Sequence, residues 1–291
     1  MNAPNIFARA NGDRVAYEEY GAAAGTPVIF CHGWPSSRTM AALAEEAARE
    51  LNIRLISPDR PGVRDSTFVA NRKLLDWPPL LREFADHLGL AQFRMFGISG
   101  GAPYAFVSAW AMPERVRAIA VASGAPPISD LENRDGLLPL YRWLLRARAK
   151  MPRRLYRMGF RFARPFLSLR PPKRSRPALL KLLQPTDANA LLDERAFDAC
   201  FESQRQAWKV SSDGVLADAE IYAEPWGFSL GEIKVPVRLW HGRKDRSFAE
   251  ATAREVERRL PNVTAFYVED AGHYSTPIRN IRDILADLIA T

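Results

Sequence analysis

Residues 93–108 read FRMFGISGGAPYAFVS. An apolar run (Phe93, Met95, Phe96, Ile98) passes through Gly97-Ile98-Ser99-Gly100-Gly101 into an Ala-rich helical stretch. Strand, sharp turn and helix is the setting in which Gly-x-Ser-x-Gly lifts its serine to the apex of a strained turn. Gly97 and Gly101 let strand and helix approach without side-chain collision. Gly100 carries an N–H at the start of the helix, where donors lack intrahelical partners and the dipole favours an anion. Short patterns with two fixed glycines also occur in ordinary strand-to-helix turns, so the rest of the chain decides what Ser99 is for.

The chain has 291 residues, 47% hydrophobic and 25% charged, which suits one α/β domain carrying a smaller insert. Its first residues hold no apolar run of signal-peptide length, and no window approaches a membrane span, so a cytoplasmic protein is expected. The two cysteines, Cys31 and Cys200, are far apart and lack CxxC spacing, which points to neither a disulfide nor zinc. No metal and no cofactor is expected. The formal charge of +8 is unevenly spread: Arg134 to Lys181 holds fifteen Lys and Arg against one acid, Asp135. The rest of the chain is therefore mildly acidic.

Residues 6–20 read as a hairpin around Asn11-Gly12. Val28–Cys31 is a continuous apolar run that suits a parallel strand covered on both faces, ending at His32-Gly33-Trp34-Pro35. Ser36 or Ser37 can cap a helix through about Leu51, and Ile53–Ser57 is the next strand, stopping at Pro58-Asp59-Arg60-Pro61-Gly62. Asp76–Leu88 is an amphipathic helix, with His87 near its end in a structural place. After the Ser99 turn come a helix to about Met112 and the strand Val116–Ala122. Such alternation predicts an α/β fold with a doubly wound, mostly parallel sheet, whose functional loops lie beyond the strands' carboxyl ends.

From about Pro126 the character changes. Leu140, Trp143, Leu144, Ala147 and Met151 form one helical stripe, and Leu155, Met158, Phe162 and Phe166 another, with arginines opposite. This predicts a core of residues 1–126 and 211–291 and a helical, Arg-rich cap of 127–210, its apolar faces packed over the site and its arginines outside. The sheet resumes with Val235–Trp240, ending in His241-Gly242-Arg243-Lys244-Asp245, then a helix over Ser247–Leu260 and a strand over Val263–Val268. That strand ends at Glu269-Asp270-Ala271-Gly272-His273, and Ile278–Ile289 closes the chain as a helix.

A serine hydroxyl is a weak nucleophile until a neighbouring base accepts its proton, and the base needs an acid to orient it. Of four histidines, His273 after the last strand is the best base, while His32 and His241 suit structural roles in their turns. Asp245 is preferred as the acid because one strand–helix–strand crossover brings it to the edge that carries His273; Asp270 and Glu269 are the alternatives. The order Ser99, Asp245, His273 is that of serine hydrolysis on a sheet of this kind. An oxyanion formed at Ser99 needs fixed donors, for which the Gly100 N–H and the Trp34 N–H are the candidates.

The segments VIFCHGWP, ISPDRPG, FGISGGAPYA, PWGF, VPVRLWHGRKD and DAGHYS resemble the α/β-hydrolase superfamily, in its cap-bearing esterase, peroxidase and aminopeptidase-like branch. They span nearly the whole chain apart from the cap. The resemblance implies Ser99 as nucleophile, Asp245 as acid, His273 as base, and Trp34 and Gly100 as oxyanion donors. The His-Gly-Trp-Pro form resembles epoxide hydrolases, which carry Asp at the elbow where this chain has Ser99. Proline iminopeptidases are similar at the elbow, with a more Gly-rich oxyanion loop. Val63-Arg64-Asp65-Ser66 replaces the usual aromatic-Gly-x-Ser after Asp-Arg-Pro-Gly.

Tyr104, Trp226, Phe228 and Tyr274 flank these motifs and, with Trp34, are candidates to line an apolar substrate pocket. The leading expectation is a serine carboxylesterase acting on a small-molecule or lipid-like acyl substrate through an acyl-enzyme. A hydrolase-fold aminopeptidase, a lyase or oxygenase, and a ligand-binding receptor with a slow triad are the alternatives. The basic cap suits a weak anionic membrane or lipid contact, or steering of an acidic ligand, or plain solvation. No nucleic-acid module accompanies the charge, so no nucleic-acid partner is expected.

Overall fold

A computed structural model describes residues 3–169 and 175–291 of the chain. Eight strands form one sheet: β1 (Asn5–Ala8), β2 (Arg14–Gly21), β3 (Thr26–Cys31), β4 (Ile53–Pro58), β5 (Phe93–Ile98), β6 (Val116–Ala122), β7 (Val237–Gly242) and β8 (Val263–Val268). Their order is β1-β2-β4-β3-β5-β6-β7-β8, with the β1–β2 and β2–β4 pairs antiparallel and every other pair parallel. The β1–β2 turn is the predicted one, with Gly12 at φ +87°, a conformation that suits glycine.

The parallel strands β3 to β7 are buried on both faces because helices cover each side, while the edge strand β8 is half-buried. From β3, Ile29 and Cys31 join one apolar cluster with Leu81 and Phe84 of α2 (Trp77–His87) and Ala105 and Phe106 of α3 (Ala102–Ala111). The alternate residues, Val28 and Phe30, join a second cluster with Ala47 and Ala48 of α1 (Glu45–Glu50) and Ile284, Leu285 and Leu288 of α11 (Ser275–Ala290). A period of two thus sends one strand's side chains into two cores. The helix predicted from Ser36 or Ser37 begins instead as a 3-10 turn, Arg38–Ala44; the Ser37 hydroxyl meets Thr39 and leaves the helix end uncapped. α10 (Glu250–Arg259) bridges β7 and β8.

Between β6 and β7 the chain passes through α4 (Pro139–Lys150), α5 (Arg153–Leu167), α6 (Arg176–Leu180), α7 (Pro185–Ala190), α8 (Glu194–Lys209) and α9 (Asp213–Ala223). Tyr156, Phe160, Ala207, Trp208 and Val215 give this region an apolar cluster of its own. The first predicted stripe, Leu140, Trp143, Leu144, Ala147 and Met151, lines a cavity that opens on Ser99, while the second reaches that cavity only through Leu155 and Phe166. The stripe Leu155, Met158, Phe162, Phe166 is exposed, and Tyr156 and Phe160, one residue round the helix from it, pack inward. Leu140, Trp143 and Met151 of the first stripe are exposed too, with Ala147 buried. Periodicity identifies residues that share a face without saying what the face meets. Among the described residues, no helix is long and apolar enough to cross a membrane.

Candidate active site

β3 is followed by β4 on one side and its other neighbour β5 by β6 on the opposite side, so a crevice opens at the carboxyl ends of β3 and β5. Ser99 stands at the end of β5 with φ +52°, a left-handed conformation that costs a non-glycine residue on the order of 1 kcal/mol or more. Tight packing holds it there. A Cβ on Gly97 would come within 3.0 Å of the Gly101 backbone, and one on Gly101 would overlap the Cys31 carbonyl.

The Ser99 Oγ lies 3.0 Å from His273 Nε2, and His273 Nδ1 lies 2.8 Å from Asp245 Oδ2. An ionised carboxylate can only accept, so the shared proton sits on Nδ1 and Nε2 is left to accept the serine hydroxyl. Asp245 is fixed on its other side by the Ser247 and Phe248 N–H groups, at 2.7 and 3.0 Å from Oδ1. Burial opposes its charge, yet the facing His273, then His241 and the Phe248 N–H, hold its carboxyl below the usual range. Burial likewise disfavours the charged His273 ring, but the Asp245 charge and hydrogen bond, followed by the Asp187 charge, outweigh it and leave the pKa raised. The alternative acids lie elsewhere: Asp270 is exposed and paired with Lys244, and Glu269 with Arg243.

Gly100 sits where a Cβ would come within 3.0 Å of the Trp34 nitrogen, so the two candidate oxyanion amides are neighbours beside Ser99. The buried Arg60 guanidinium holds the Trp34 loop from behind, donating to the His32 and Gly33 carbonyls at 2.6 and 2.7 Å and to Asp218 of α9 at 2.7 Å. Asp218 also accepts from Arg72 and from the Tyr104 hydroxyl, and the two guanidiniums hold its carboxyl down near 2 against the effect of burial. Tyr222 of α9 donates to the Gly100 carbonyl at 2.8 Å. His32 is fully buried, its charged form disfavoured by burial and by Arg60, and His241 binds the Phe248 carbonyl.

One buried acid outside the Ser99 chain ties the inserted helices to the base. Asp187 of α7 accepts from the N–H groups of His273, Tyr274 and Ser275 at 3.1, 3.1 and 2.8 Å, and from the Ser275 hydroxyl at 2.7 Å. It thereby caps α11 and fixes the loop that carries His273. Neither Asp187 nor the Arg60–Asp218 pair was expected from the sequence. Their partners lie 86 and 158 residues away, beyond any local pattern.

A cavity of about 1050 Å³ opens from Ser99 and His273 outward between α4, α5, α6 and α8. Its walls are largely apolar, and among the described residues Asp187 is the one acid that lines it. A second, smaller chamber of about 50 Å³ also reaches Ser99 and is lined by Trp34, Ile128, Tyr141, Leu145, Tyr222 and Phe248. Trp34 and Tyr274, among the predicted pocket residues, line the large cavity. Tyr104, Trp226 and Phe228 line neither. Tyr104 is buried beneath the site, with its hydroxyl on Asp218, and Trp226 is stacked between Phe106 and Phe228 on the α3 side of the sheet. Proximity to a motif in sequence did not set the direction of these side chains. Among the described residues, no three His, Cys, Asp or Glu side chains gather as a metal site.

The fold and this site define a class: residues 26–276 match the family model described as alpha/beta hydrolase fold. The chain belongs to that family. Solved structures similar to it include an esterase from Exiguobacterium antarcticum, 18% identical with a TM-score of 0.70 and all of both chains covered. Another is the enol-lactonase from Burkholderia xenovorans LB400, 16% identical with a TM-score of 0.70, covering 99% of this chain and 100% of that one. A third is a thermophilic esterase from Thermogutta terrifontis, 18% identical with a TM-score of 0.67, covering 99% and 98%. No curated protein sequence matches the chain.

Proposed function

We propose that the protein is a serine hydrolase that cleaves carboxylic esters of apolar substrates through an acyl-enzyme. The observation that carries this reading is the hydrogen-bonded chain Ser99–His273–Asp245 opening onto an apolar cavity. Ser99 Oγ attacks the ester carbonyl while His273 Nε2 takes its proton. The carbonyl oxygen turns toward the Trp34 and Gly100 N–H groups as it gains charge, a pair of donors worth roughly 3 kcal/mol each in such sites. His273 then returns the proton to the departing alcohol, and water repeats the sequence to free the acid. The raised His273 pKa suits both halves, because the ring must accept a proton and hold it until the alcohol leaves.

The two cavities suggest an ester with one long apolar limb and one small one. An aminopeptidase reading fares worse, because an ammonium group needs an available carboxylate. Among the described residues, the one acid lining the large cavity, Asp187, is already engaged by five donors. The esterases and the lactonase among the structural neighbours agree with ester chemistry as a starting point. A series of p-nitrophenyl esters of increasing acyl length, assayed on wild type and Ser99→Ala, tests the proposal. Turnover that rises with chain length and vanishes in Ser99→Ala supports it; activity that survives Ser99→Ala rules the acyl-enzyme out.

A further inference from the structure

α5 has three faces where an ordinary surface helix has two. Tyr156 and Phe160 face inward, where Phe160 stacks on Trp208 at 5.9 Å. A second face carries Arg153, Arg154, Arg157 and Arg161. The third is apolar and open to water, with Phe162 69% and Phe166 78% exposed. Trp143 of α4 (57%) and Leu182 (82%) extend this apolar surface. Phe166, Trp143 and Leu182 also line the outer part of the cavity that begins at Ser99. The exposed apolar surface is therefore the rim of the cavity mouth.

On α4, α5 and α6 the charge has one sign, while Glu202 of α8, across the cavity, is paired with Arg205. From Gly136 to Thr186 the sequence contains no acidic residue. Arg148, on the inward side of α4, is neutralised by Glu220 and Glu224 of α9. By contrast Arg146, Lys150, Arg153, Arg154, Arg157 and Arg161 are exposed and make no ion pair with the described residues. An apolar helical face flanked by unpaired cations is the pattern of a helix that lies in a lipid headgroup layer. A second copy of the chain is a poor occupant, since a symmetric contact would set these cations against each other with no acid on α4, α5 or α6 to answer them.

We propose that the cavity mouth docks on an anionic lipid surface, with Phe162 and Phe166 entering the apolar layer and the α4 and α5 cations on the headgroups. The cavity then opens toward the bilayer, and an apolar substrate passes into it without crossing water. The docking itself does not depend on the esterase reading, so it is tested by binding alone. Flotation of the full chain as Ser99→Ala is measured with vesicles of phosphatidylcholine and of phosphatidylcholine with phosphatidylglycerol. The expected result is binding to the anionic vesicles only, weakened by salt. Each cation at the surface contributes about fivefold in partition, so R157Q/R161Q lowers it about 25-fold. Phe162→Ser, at a position outside the cavity lining, lowers partition about tenfold or more while leaving melting temperature and short-ester turnover in place. Absence of binding, equal binding to neutral vesicles, or binding indifferent to Phe162→Ser overturns the proposal. So does a dimer in solution that Phe162→Ser dissociates, which would assign the rim to a second copy.

Discussion

Asp187→Asn removes the link between the inserted helices and the loop that presents His273. The native carboxylate sits almost out of solvent and receives five hydrogen bonds: three from successive main-chain N–H groups, one from the Ser275 hydroxyl and one from Gln184. The amide keeps one oxygen and turns an NH2 group toward donors that need an acceptor. Orienting its oxygen to Tyr274 and Ser275 leaves the His273 N–H unpaired and removes the negative charge from the start of α11. A hydrogen bond to a charged acceptor contributes about 1.5–3 kcal/mol, and a charge at a helix N-terminus about 0.3–1 kcal/mol. The expected loss of stability is therefore about 3 kcal/mol, a fall in Tm of about 6 °C or more for a chain of this size. Measured well below that Tm, kcat falls about tenfold or more as the ring loses its placement. The inflection in kcat/KM moves as well. In wild type it lies above the ordinary imidazole value because the His273 pKa is raised, and removing the Asp187 charge shifts it down. Calorimetry and pH–rate profiles on the best p-nitrophenyl ester measure all three quantities. Unchanged Tm and an unmoved pH profile would refute the role assigned to Asp187. A lower Tm with an unmoved profile would reduce it to a cap on α11.

Three further substitutions follow from the same geometry. In Asp245→Asn the amide oxygen keeps the Ser247 and Phe248 N–H bonds while its NH2 group faces His273 Nδ1. The ring is forced into the wrong tautomer, and kcat falls by about 10³–10⁴ with little change in Tm; full turnover would move the acid elsewhere. A Cβ in Gly100→Ala meets Trp34 Cβ at 2.7 Å and the Tyr222 hydroxyl at 2.8 Å, so the oxyanion amides part. Steady-state assays should show kcat down about 10²-fold, with about 1–3 kcal/mol of stability lost by overpacking; an unaffected kcat would place the donors elsewhere. Arg60→Met frees the His32 and Gly33 carbonyls and strips one partner from buried Asp218, costing about 3–5 kcal/mol in urea unfolding, whereas a cost under about 1 kcal/mol would contradict that network.

The sheet and the elbow were legible because their signals are local. Asn11-Gly12 marks a hairpin, apolar runs mark strands covered on both sides, and Gly97 to Gly101 leave room for only one kind of turn. The places of Ser99, Asp245 and His273 could be read from strand ends, since a parallel sheet brings successive carboxyl ends to one edge. What escaped was set by tertiary contact. The Leu155–Phe166 stripe is periodic but meets two surroundings: Leu155 and Phe166 line the cavity, Met158 and Phe162 are left to the solvent, and Phe160 stacks on Trp208. Trp226 and Phe228 follow the inserted helices in sequence, yet turn to stack beside α3. The sequence neighbourhoods of Asp187 and Asp218 do not contain His273 and Arg60, which only the fold brings to them.

The central claim is that Ser99 is the atom donor to a covalent intermediate, and labelling measures that directly. Intact mass and peptide mapping after treatment with a fluorophosphonate should show one phosphonyl group per chain, on Ser99, with ester turnover lost in step with labelling. His273→Ala should slow the labelling by orders of magnitude at unchanged fold, because Ser99 then keeps its proton. Ester turnover that continues in fully labelled protein, or a label carried by any residue other than Ser99, would contradict the account.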